Sequence, residues 1–178
     1  MNNELQEFST TVTAHQDPVY RLALATVRDA DDAQDIAQEA FLRLWRKGRD
    51  VPPEAVRPWL LKVTHNLCLD HLRRRQRRHL RLGRPDPNAL ERLPEIRPDP
   101  PDGGLPDELV SALDELSPHA RSLVVLHYCE DMKLAEIAHL LETTTGAVKV
   151  ALHRARRTLQ EALTPTRVMA GGNQETGT

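Results

Sequence analysis

A proline-rich segment between residues 83 and 106 sets the strongest limit on what this chain can fold into. Seven of the 13 prolines lie there, and a Gly103–Gly104 pair stands near its end. This composition favours an extended, semi-rigid spacer over a packed core, with a reach of up to ~3.1 Å per residue. The sequence therefore predicts two separate domains, at residues 1–82 and 107–163, joined by a linker at residues 83–106.

The composition fits two small helical domains better than one large core. The chain has 178 residues, of which only 3% are aromatic and 39% hydrophobic. Its net charge of −2 does not indicate nucleic-acid binding. Local charge matters more, because electrostatic fields are screened beyond about 8–10 Å. One short segment is strongly basic and contains Arg73, Arg74, Arg75, Arg77, Arg78, Arg81 and Arg84.

The sequence offers no metal or cofactor site. Cys68 and Cys129 are too few for a disulfide framework, and neither has a partner at a zinc-binding spacing. We expect both thiols to pack as small hydrophobic groups. The first residues are polar, and no run approaches the roughly 18 apolar residues of a membrane span, so we expect a cytoplasmic protein without membrane insertion.

Three helical segments are predicted in the first domain. Residues 4–28 form one or two helices, because Pro18 suits a first helical turn with Asp17 as its cap. Residues 29–47 form a helix with acidic residues first and basic residues last, as the helix dipole favours. Residues 57–80 form a third helix. Trp45 and Trp59 are expected in the core.

The outer face of the second predicted helix is mixed in character. It carries both acidic and apolar groups, namely Asp35, Gln38, Glu39 and Leu42. This mixture is typical of a partner-binding surface, but a solvated acidic face explains the periodicity equally well. The third helix presents Lys62, His65, Asn66 and Asp70 before the arginine run. Such a face could bind nucleic acid, or the arginines could simply solubilise the end of a helix.

The second domain ends in a predicted helix-turn-helix between Leu134 and Leu163. The turn lies at residues 142–146, and Thr144 is the expected N-cap of the second helix. That helix has an apolar stripe on one side. Its other face carries Lys149, Val150, His153, Arg154, Arg156 and Arg157. A basic helix face suits the DNA major groove, although a solvated face of an ordinary bundle helix remains an alternative. Residues 164–178 are expected to be a disordered tail.

Two segments resemble a known family. DAQDIAQEAFLRLW followed by RPWLLKVTHNLCLDHLRRR resembles the second conserved region of bacterial sigma factors. LSPHARSLVVLHYCEDMKLAEIAHLLETTTGAVKVALHRARRTL resembles their fourth conserved region. With two such regions and a variable linker, the chain is similar to the extracytoplasmic-function, or group four, sigma factors. The resemblance implies an all-α fold with a region 2 helical bundle and a region 4 helix-turn-helix.

The resemblance also implies roles for individual residues. The core polymerase-binding residues would be Asp35, Gln38, Glu39 and Leu42, which align with the segment that grips the β′ clamp helices. The residues at the melted minus-ten element would be Lys62, His65, Asn66, Arg73 and Arg74. The residues at the minus-thirty-five element would be Lys149, Val150, His153, Arg154 and Arg157. Glu142 departs from the family, because this position in the turn often holds glycine.

The function implied is that of an alternative sigma factor rather than an enzyme. Its partners would be the RNA polymerase core, through the β′ clamp helices and the β flap, promoter DNA and an anti-sigma factor. A stand-alone helix-turn-helix regulator is the alternative, but it would not explain the mixed second helix or the arginine-rich third helix.

Overall fold

The computed structural model describes residues 2–47, 50–81 and 107–164, and the regular structure in these residues is helical throughout. The predicted all-α fold with two small helical domains is therefore confirmed. The predicted linker at residues 83–106 and the tail after Thr164 lie outside the described residues. The helices are α1 (Asn2–Val27), α2 (Ala30–Lys47), α3 (Val56–Arg81), α4 (Asp107–Asp114), α5 (Pro118–Val124), α6 (Leu134–Leu140) and α7 (Thr145–Leu163).

The first domain is a three-helix bundle in which α1, α2 and α3 pack against one another. A short 3₁₀ turn at Pro53–Ala55 precedes α3. The Asp29 carboxylate accepts a hydrogen bond from the Asp32 backbone N–H at 3.0 Å and so caps α2. The buried residues that share the bundle interior are Val19, Ala23, Val27, Ala33, Ile36, Ala40, Phe41, Leu44, Leu60 and Cys68.

Helix α1 is continuous through Pro18, so the break that Asp17–Pro18 suggests does not occur. Proline inside a helix cannot donate its i→i−4 hydrogen bond and typically costs ~3 kcal/mol. Val19, Leu22 and Ala23 are nevertheless buried directly after it. Burial of this continuous apolar stripe offsets the local cost of the proline.

The second domain contains α4 to α7 and a π-helical turn at Val125–Cys129 that follows α5. Ser117 caps α5, as its position before proline suggests, and its Oγ accepts a hydrogen bond from the Ala120 N–H at 3.2 Å. The core is built from Leu113, Leu116, Leu123, Leu126, Ile137, Val148, Leu152 and their neighbours. The same core cluster includes Leu22 of α1 and Leu61 of α3, so the two domains pack against each other.

The two cysteines differ in their surroundings. Cys68 is fully buried, as expected of a small hydrophobic group, and burial raises the pKa of its thiol to about 12. Cys129 is exposed, so the expectation that both thiols pack in the interior is wrong for this residue. No helix in the described segments is long and apolar enough to cross a membrane.

Candidate nucleic-acid interface

Helix α7 has two chemically distinct sides. Val148, Leu152 and Ala155 are buried in the core of the second domain. Because these positions repeat at helical spacing, they fix which residues face outward. The exposed side carries Lys149, Val150, His153, Arg154 and Arg157, the residues that the sequence assigns to one DNA contact.

The exposed side of α7 is largely free to bind a ligand. Within the described chain, Lys149, His153 and Arg154 form no ion pair. Arg157 is the exception, since its Nε donates to Glu161 Oε1 at 2.8 Å. That hydrogen bond to the carboxylate raises the pKa of the Arg157 guanidinium. Val150 is 51% exposed and offers an apolar surface of the kind that packs against a thymine methyl group.

The turn before α7 places this face. Helix α6 ends in a Schellman motif, in which the Thr143 N–H donates to the Ala138 carbonyl at 2.9 Å and the Glu142 N–H donates to the His139 carbonyl at 3.3 Å. Glu142 occupies the left-handed position of this motif, with φ of 54°. Thr144 then caps α7 by accepting the Ala147 N–H at 3.1 Å, which confirms the predicted cap.

The left-handed conformation explains why glycine is common at the position of Glu142. A residue with a Cβ atom in this region is strained, by about 1–2 kcal/mol, whereas glycine is not. Glu142 therefore adopts the left-handed conformation in spite of its side chain and places a carboxylate in the turn.

The predicted DNA-contacting residues of helix α3 differ in their exposure to solvent. Asn66, Arg73 and Arg74 are exposed on the helix. Lys62 instead donates to Glu142 Oε1 of the second domain at 2.5 Å. His65 is only 3% exposed, and its ring centroid lies 5.6 Å from that of His119 in α5.

The surroundings of His65 disfavour its charged form. Burial, together with the neighbouring His119 and Arg73, lowers the pKa of His65 to about 4. Its Nδ1 atom is buried without a hydrogen-bond partner. In this arrangement His65 is a neutral group at the contact between the domains, while Asn66 on the next position remains open to solvent.

The arginine run of α3 is mostly solvent-facing. Arg73, Arg74, Arg77 and Arg78 are exposed. Arg75 is partly buried and lies 3.8 Å from Asp32 of α2, measured from Nη1 to Oδ2. The exposed members can therefore contact phosphate groups, whereas Arg75 joins α3 to α2.

The mixed face of α2 lies on the outside of the bundle. Asp35, Gln38 and Leu42 are exposed, and Glu39 is partly exposed. The Glu39 carboxylate accepts a hydrogen bond from Arg43 Nε at 2.8 Å, and this contact lowers the pKa of the carboxyl group. Leu42 is 48% exposed, which leaves an apolar group among these acidic and polar side chains.

An apolar surface that the sequence reasoning missed adjoins this face. Trp45 is 46% exposed rather than buried in the core, so its expected placement is wrong. Its ring packs edge-on against Phe8 of α1 at a centroid distance of 4.8 Å. Leu5 is also exposed, one turn before Phe8, and Leu42 lies one turn before Trp45. The matched i, i+3 pairs Leu5/Phe8 and Leu42/Trp45 were the available signal.

Comparison with known proteins agrees with the geometry. Residues 11–78 match the model of sigma-70 region 2, and residues 107–159 match that of sigma-70 region 4. Because these two models cover more than half of the chain, the chain belongs to the class of sigma-70 family proteins.

Curated relatives narrow this class. The chain is 31% identical over 156 residues to the RNA polymerase sigma factor SigV of Bacillus subtilis, covering 87% of this chain and 90% of the relative. It is 36% identical over 156 residues to the ECF RNA polymerase sigma factor SigE of Mycolicibacterium smegmatis, covering 85% of this chain but only 60% of that relative. The chain belongs to the extracytoplasmic-function sigma factors of the sigma-70 family, as its sequence suggested, and this is not an enzyme family.

The fold also matches a solved structure. The sigma factor RpoE of Bartonella quintana, in complex with the anti-sigma factor NepR, aligns with a TM-score of 0.71 over 94% of this chain and 100% of that one. At 21% identity, this likeness supports the two-domain helical fold.

Proposed function

We propose that this protein is an alternative sigma factor that binds the RNA polymerase core and directs initiation at a specific set of promoters. The observation that carries the proposal is the presence of two accessible surfaces with opposite chemistry in one chain. The outer face of α7 is basic, whereas the outer face of α2 is acidic and apolar. A regulator that binds DNA alone would need the first surface but not the second.

The outer face of α7 reads the duplex minus-thirty-five element in this proposal. Lys149 and Arg154 donate hydrogen bonds to guanine edges or phosphates. His153 donates or accepts a hydrogen bond, and Val150 packs against a thymine methyl group. Arg157 already pairs with Glu161, so it supplies charge to the phosphate backbone from the end of the face. The basic charge contributes affinity that falls with salt, and the base contacts supply sequence preference.

The outer face of α3 holds the melted minus-ten strand. Asn66 offers both a donor and an acceptor to an extruded base, and Arg73 and Arg74 neutralise the backbone beside it. Lys62 and His65 belong to the same helix face and would join this contact once they are uncovered. Asn66 and Arg73 are exposed and lie about two turns apart on the same helix, roughly 10 Å by the helical rise, so one strand can contact both.

The face of α2 with Asp35, Gln38, Glu39 and Leu42 docks on the β′ clamp helices of the polymerase. An interface of this kind combines a buried apolar anchor with a polar rim, and Leu42 is suited to be that anchor. The second domain would rest on the β flap. Because the solved relative was captured with an anti-sigma factor, an anti-sigma partner is proposed for this chain as well. The sigma factor itself would act in the cytoplasm and would have no catalytic activity of its own.

Run-off transcription is the direct test of this function. Core polymerase with this protein should give discrete transcripts from a genomic fragment library, and core polymerase alone should not. Equal initiation from the same sites with and without the protein would refute the proposal. A stand-alone regulator would change transcription only when another sigma factor is present.

The docking face is tested separately by charge reversal. Asp35→Arg and Glu39→Arg should each weaken polymerase binding at least tenfold, because an acidic rim is replaced by a basic one, while helical content stays unchanged by circular dichroism. Asp17→Arg, which reverses an exposed acidic residue on α1, is the matched control. Binding that falls equally in all three variants, measured by pull-down titration, would contradict the assignment of this face.

A further inference from the structure

One surface of the first domain gathers half of the large hydrophobic side chains that are exposed in the described part of the chain. Leu42 and Trp45 of α2 and Leu5 of α1 are each about half exposed. Phe8 of α1 contacts the Trp45 ring edge-on, with the ring centroids 4.8 Å apart. We call these four residues the α1/α2 apolar surface. The other exposed side chains of this kind lie apart from it in the second domain, namely Tyr128, Val150 and Leu163.

The core of the bundle holds this surface in place from beneath. Phe8 packs on the buried cluster that contains Ala40, Phe41 and Leu44 of α2. The Trp45 ring is in turn held by Phe8, although much of it remains in contact with solvent. A side chain that is already ordered loses little freedom when a partner binds. Contiguous apolar groups that a fold keeps exposed are typical of a protein-binding site.

The α1/α2 apolar surface continues the acidic face of α2 along one side of the helix. Asp35, Gln38, Leu42 and Trp45 follow one another at intervals of three, four and three residues. This spacing keeps side chains on one side of a helix, and it is the spacing by which two helices pack side by side. The occupant that fits this stripe is therefore another α-helix lying along α2.

Charge gives such a partner helix a direction. Asp35 and Glu39 lie at the N-terminal end of the stripe, whereas Arg46 is exposed beside Trp45 at its C-terminal end. Complementary interfaces pair opposite charges and thereby fix the register of the partner. The matching helix would carry basic groups opposite Asp35, apolar groups opposite Leu42 and Trp45, and an acidic group opposite Arg46.

The α2 face from Asp35 to Leu42 is short for a stable interface. It spans about 10 Å of helix at a rise of 1.5 Å per residue, whereas a stable interface typically buries ~800 Å² on each partner. A single aromatic side chain buries about 150–250 Å². Inclusion of Trp45 lengthens the stripe to about 15 Å, and Phe8 and Leu5 widen it onto a second helix. Tryptophan is also among the residues that most often dominate binding energy.

We propose that the α1/α2 apolar surface is the centre of the polymerase-docking site, that Trp45 is its main anchor, and that the first turns of α1 belong to the site. The occupant is the helical clamp of the polymerase β′ subunit, which would pack on α1 and α2 together. The identity of this partner rests on the proposed function. Leu5, Phe8 and Trp45 thereby join the docking residues on the outer face of α2.

The affinity of the full-length protein for core polymerase tests the anchor. Trp45→Ala should weaken binding by at least about tenfold and Leu5→Ser by about threefold to tenfold, because both remove apolar area from the contact. Trp45→Phe keeps a ring at the site and should bind within about threefold of the unaltered protein. Leu163→Ala removes a similarly exposed side chain at the end of α7 and should change affinity by less than about twofold. Fluorescence anisotropy of the labelled protein titrated with core polymerase gives each Kd.

Leu5→Ser keeps the test independent of folding. Leu5 is 56% exposed near the start of α1, so its replacement leaves the bundle core intact. Circular dichroism and thermal unfolding should therefore be the same for this variant and the unaltered protein. Leu5→Ser that binds polymerase as tightly as the unaltered protein would overturn the proposal, whatever the stability of Trp45→Ala.

Photocrosslinking identifies the occupant. The photoreactive residue p-benzoylphenylalanine in place of Leu5 should form a covalent product with the clamp helices of β′, located by mass spectrometry. The same residue in place of Thr10 is the control, because Thr10 is exposed on α1 but lies about 160° round the helix from Phe8. It should give less than about one tenth of the product. A product between position 5 and another subunit, or a second copy of this chain, would overturn the proposal.

Asp35→Arg separates failure of this proposal from failure of the proposed function. If the unaltered protein does not bind core polymerase, the sigma function itself fails. If Asp35→Arg weakens binding while Trp45→Ala and Leu5→Ser do not, docking through α2 stands and the α1/α2 apolar surface has no part in it. A free dimer that Trp45→Ala dissociates, with polymerase affinity unchanged, would assign the surface to a second copy of the chain instead.

Discussion

The outer faces of α7 and α3 are assigned to the same kind of ligand but are held in different states. The α7 face is defined by the core of its own domain, because Val148, Leu152 and Ala155 are buried beneath it. The α3 face is shaped by the other domain, which buries His65 and engages Lys62. The α7 face is therefore fully accessible in this structure, whereas the second domain covers part of the α3 face.

The largest expected effect is on the free energy of unfolding, for a substitution on the buried side of α7 compared with one on its exposed side. Leu152→Ala should lower the free energy of unfolding by about 2–5 kcal/mol, because it leaves a cavity in the core of the second domain. Val150→Ala, on the exposed side of the same helix, should change it by less than about 0.5 kcal/mol. Chemical denaturation of both variants provides the measurement. Similar losses of stability in the two variants would mean that α7 does not have one buried and one exposed side.

Arg154→Ala tests whether the α7 face is ready to read sequence. A base contact predicts a loss of about 1–3 kcal/mol in promoter affinity and a weaker preference for the native minus-thirty-five element. Band-shift titrations of the polymerase complex on native and scrambled elements measure both quantities. Arg156→Ala, an exposed neighbour on the same helix, should weaken both complexes to the same degree. An equal loss on both sequences for Arg154→Ala would reassign this residue to phosphate binding.

The two faces should also differ in their dependence on pH. The pKa of His65 is lowered to about 4, so the folded state binds fewer protons than the unfolded state, in which the value is near 6.5. Stability is therefore fully present above pH 6.5 and falls as the pH drops towards 4, by up to ~1.4 kcal/mol per pH unit. Burial also lowers the pKa of His119 in α5, which adds to the slope in the same direction. Arg73 on α3 disfavours a proton on His65 further.

Thermal and chemical unfolding between pH 7 and 5 measures this slope. His65→Gln should flatten it, because the buried titrating group is removed. His153→Gln, on the exposed face of α7, should leave it unchanged. Part of the slope should remain, because burial also lowers the pKa of His119 and of His15. A slope as steep in His65→Gln as in the unaltered protein would assign the acid sensitivity to other groups and remove this distinction between α3 and α7.

The same contrast explains what the sequence could predict. The stripe of α7, the Thr144 cap and the helix-turn-helix follow from local periodicity and capping, because each depends on neighbours within a few turns. The burial of His65 does not, since it involves packing against His119, which lies in a domain far along the chain. Periodicity placed His65 and Asn66 on one polar face, but the second domain covers the first and leaves the other exposed.

Two further misplacements have the same physical origin. Asp17–Pro18 is a strong local signal for a helix start, yet the packing of α1 against α2, α3 and α5 keeps the helix continuous. Trp45 lies beside an apolar stripe and was expected in the core, but the bundle interior is already filled by smaller side chains such as Ala40 and Leu44. The continuity of α1 and the exposure of Trp45 both depend on tertiary contacts, which a short-range sequence pattern does not predict.

The smallest effect is expected at Glu142, where the α7 turn meets the α3 face. Two terms act on this residue: an exposed ion pair with Lys62 and a left-handed backbone, with φ of 54°. Such ion pairs typically contribute about 0.2–1 kcal/mol. Glu142→Gln removes the charge and keeps the strained backbone, so stability should fall slightly at low salt and less at high salt. Glu142→Gly also removes the charge but relieves the backbone, so it should be more stable than Glu142→Gln by about 0.5–1 kcal/mol. Denaturation of both variants at two salt concentrations separates the two terms. If Glu142→Gly were less stable than Glu142→Gln, the turn would not require the left-handed conformation, and the fixed placement of α7 beside α3 would lose its explanation.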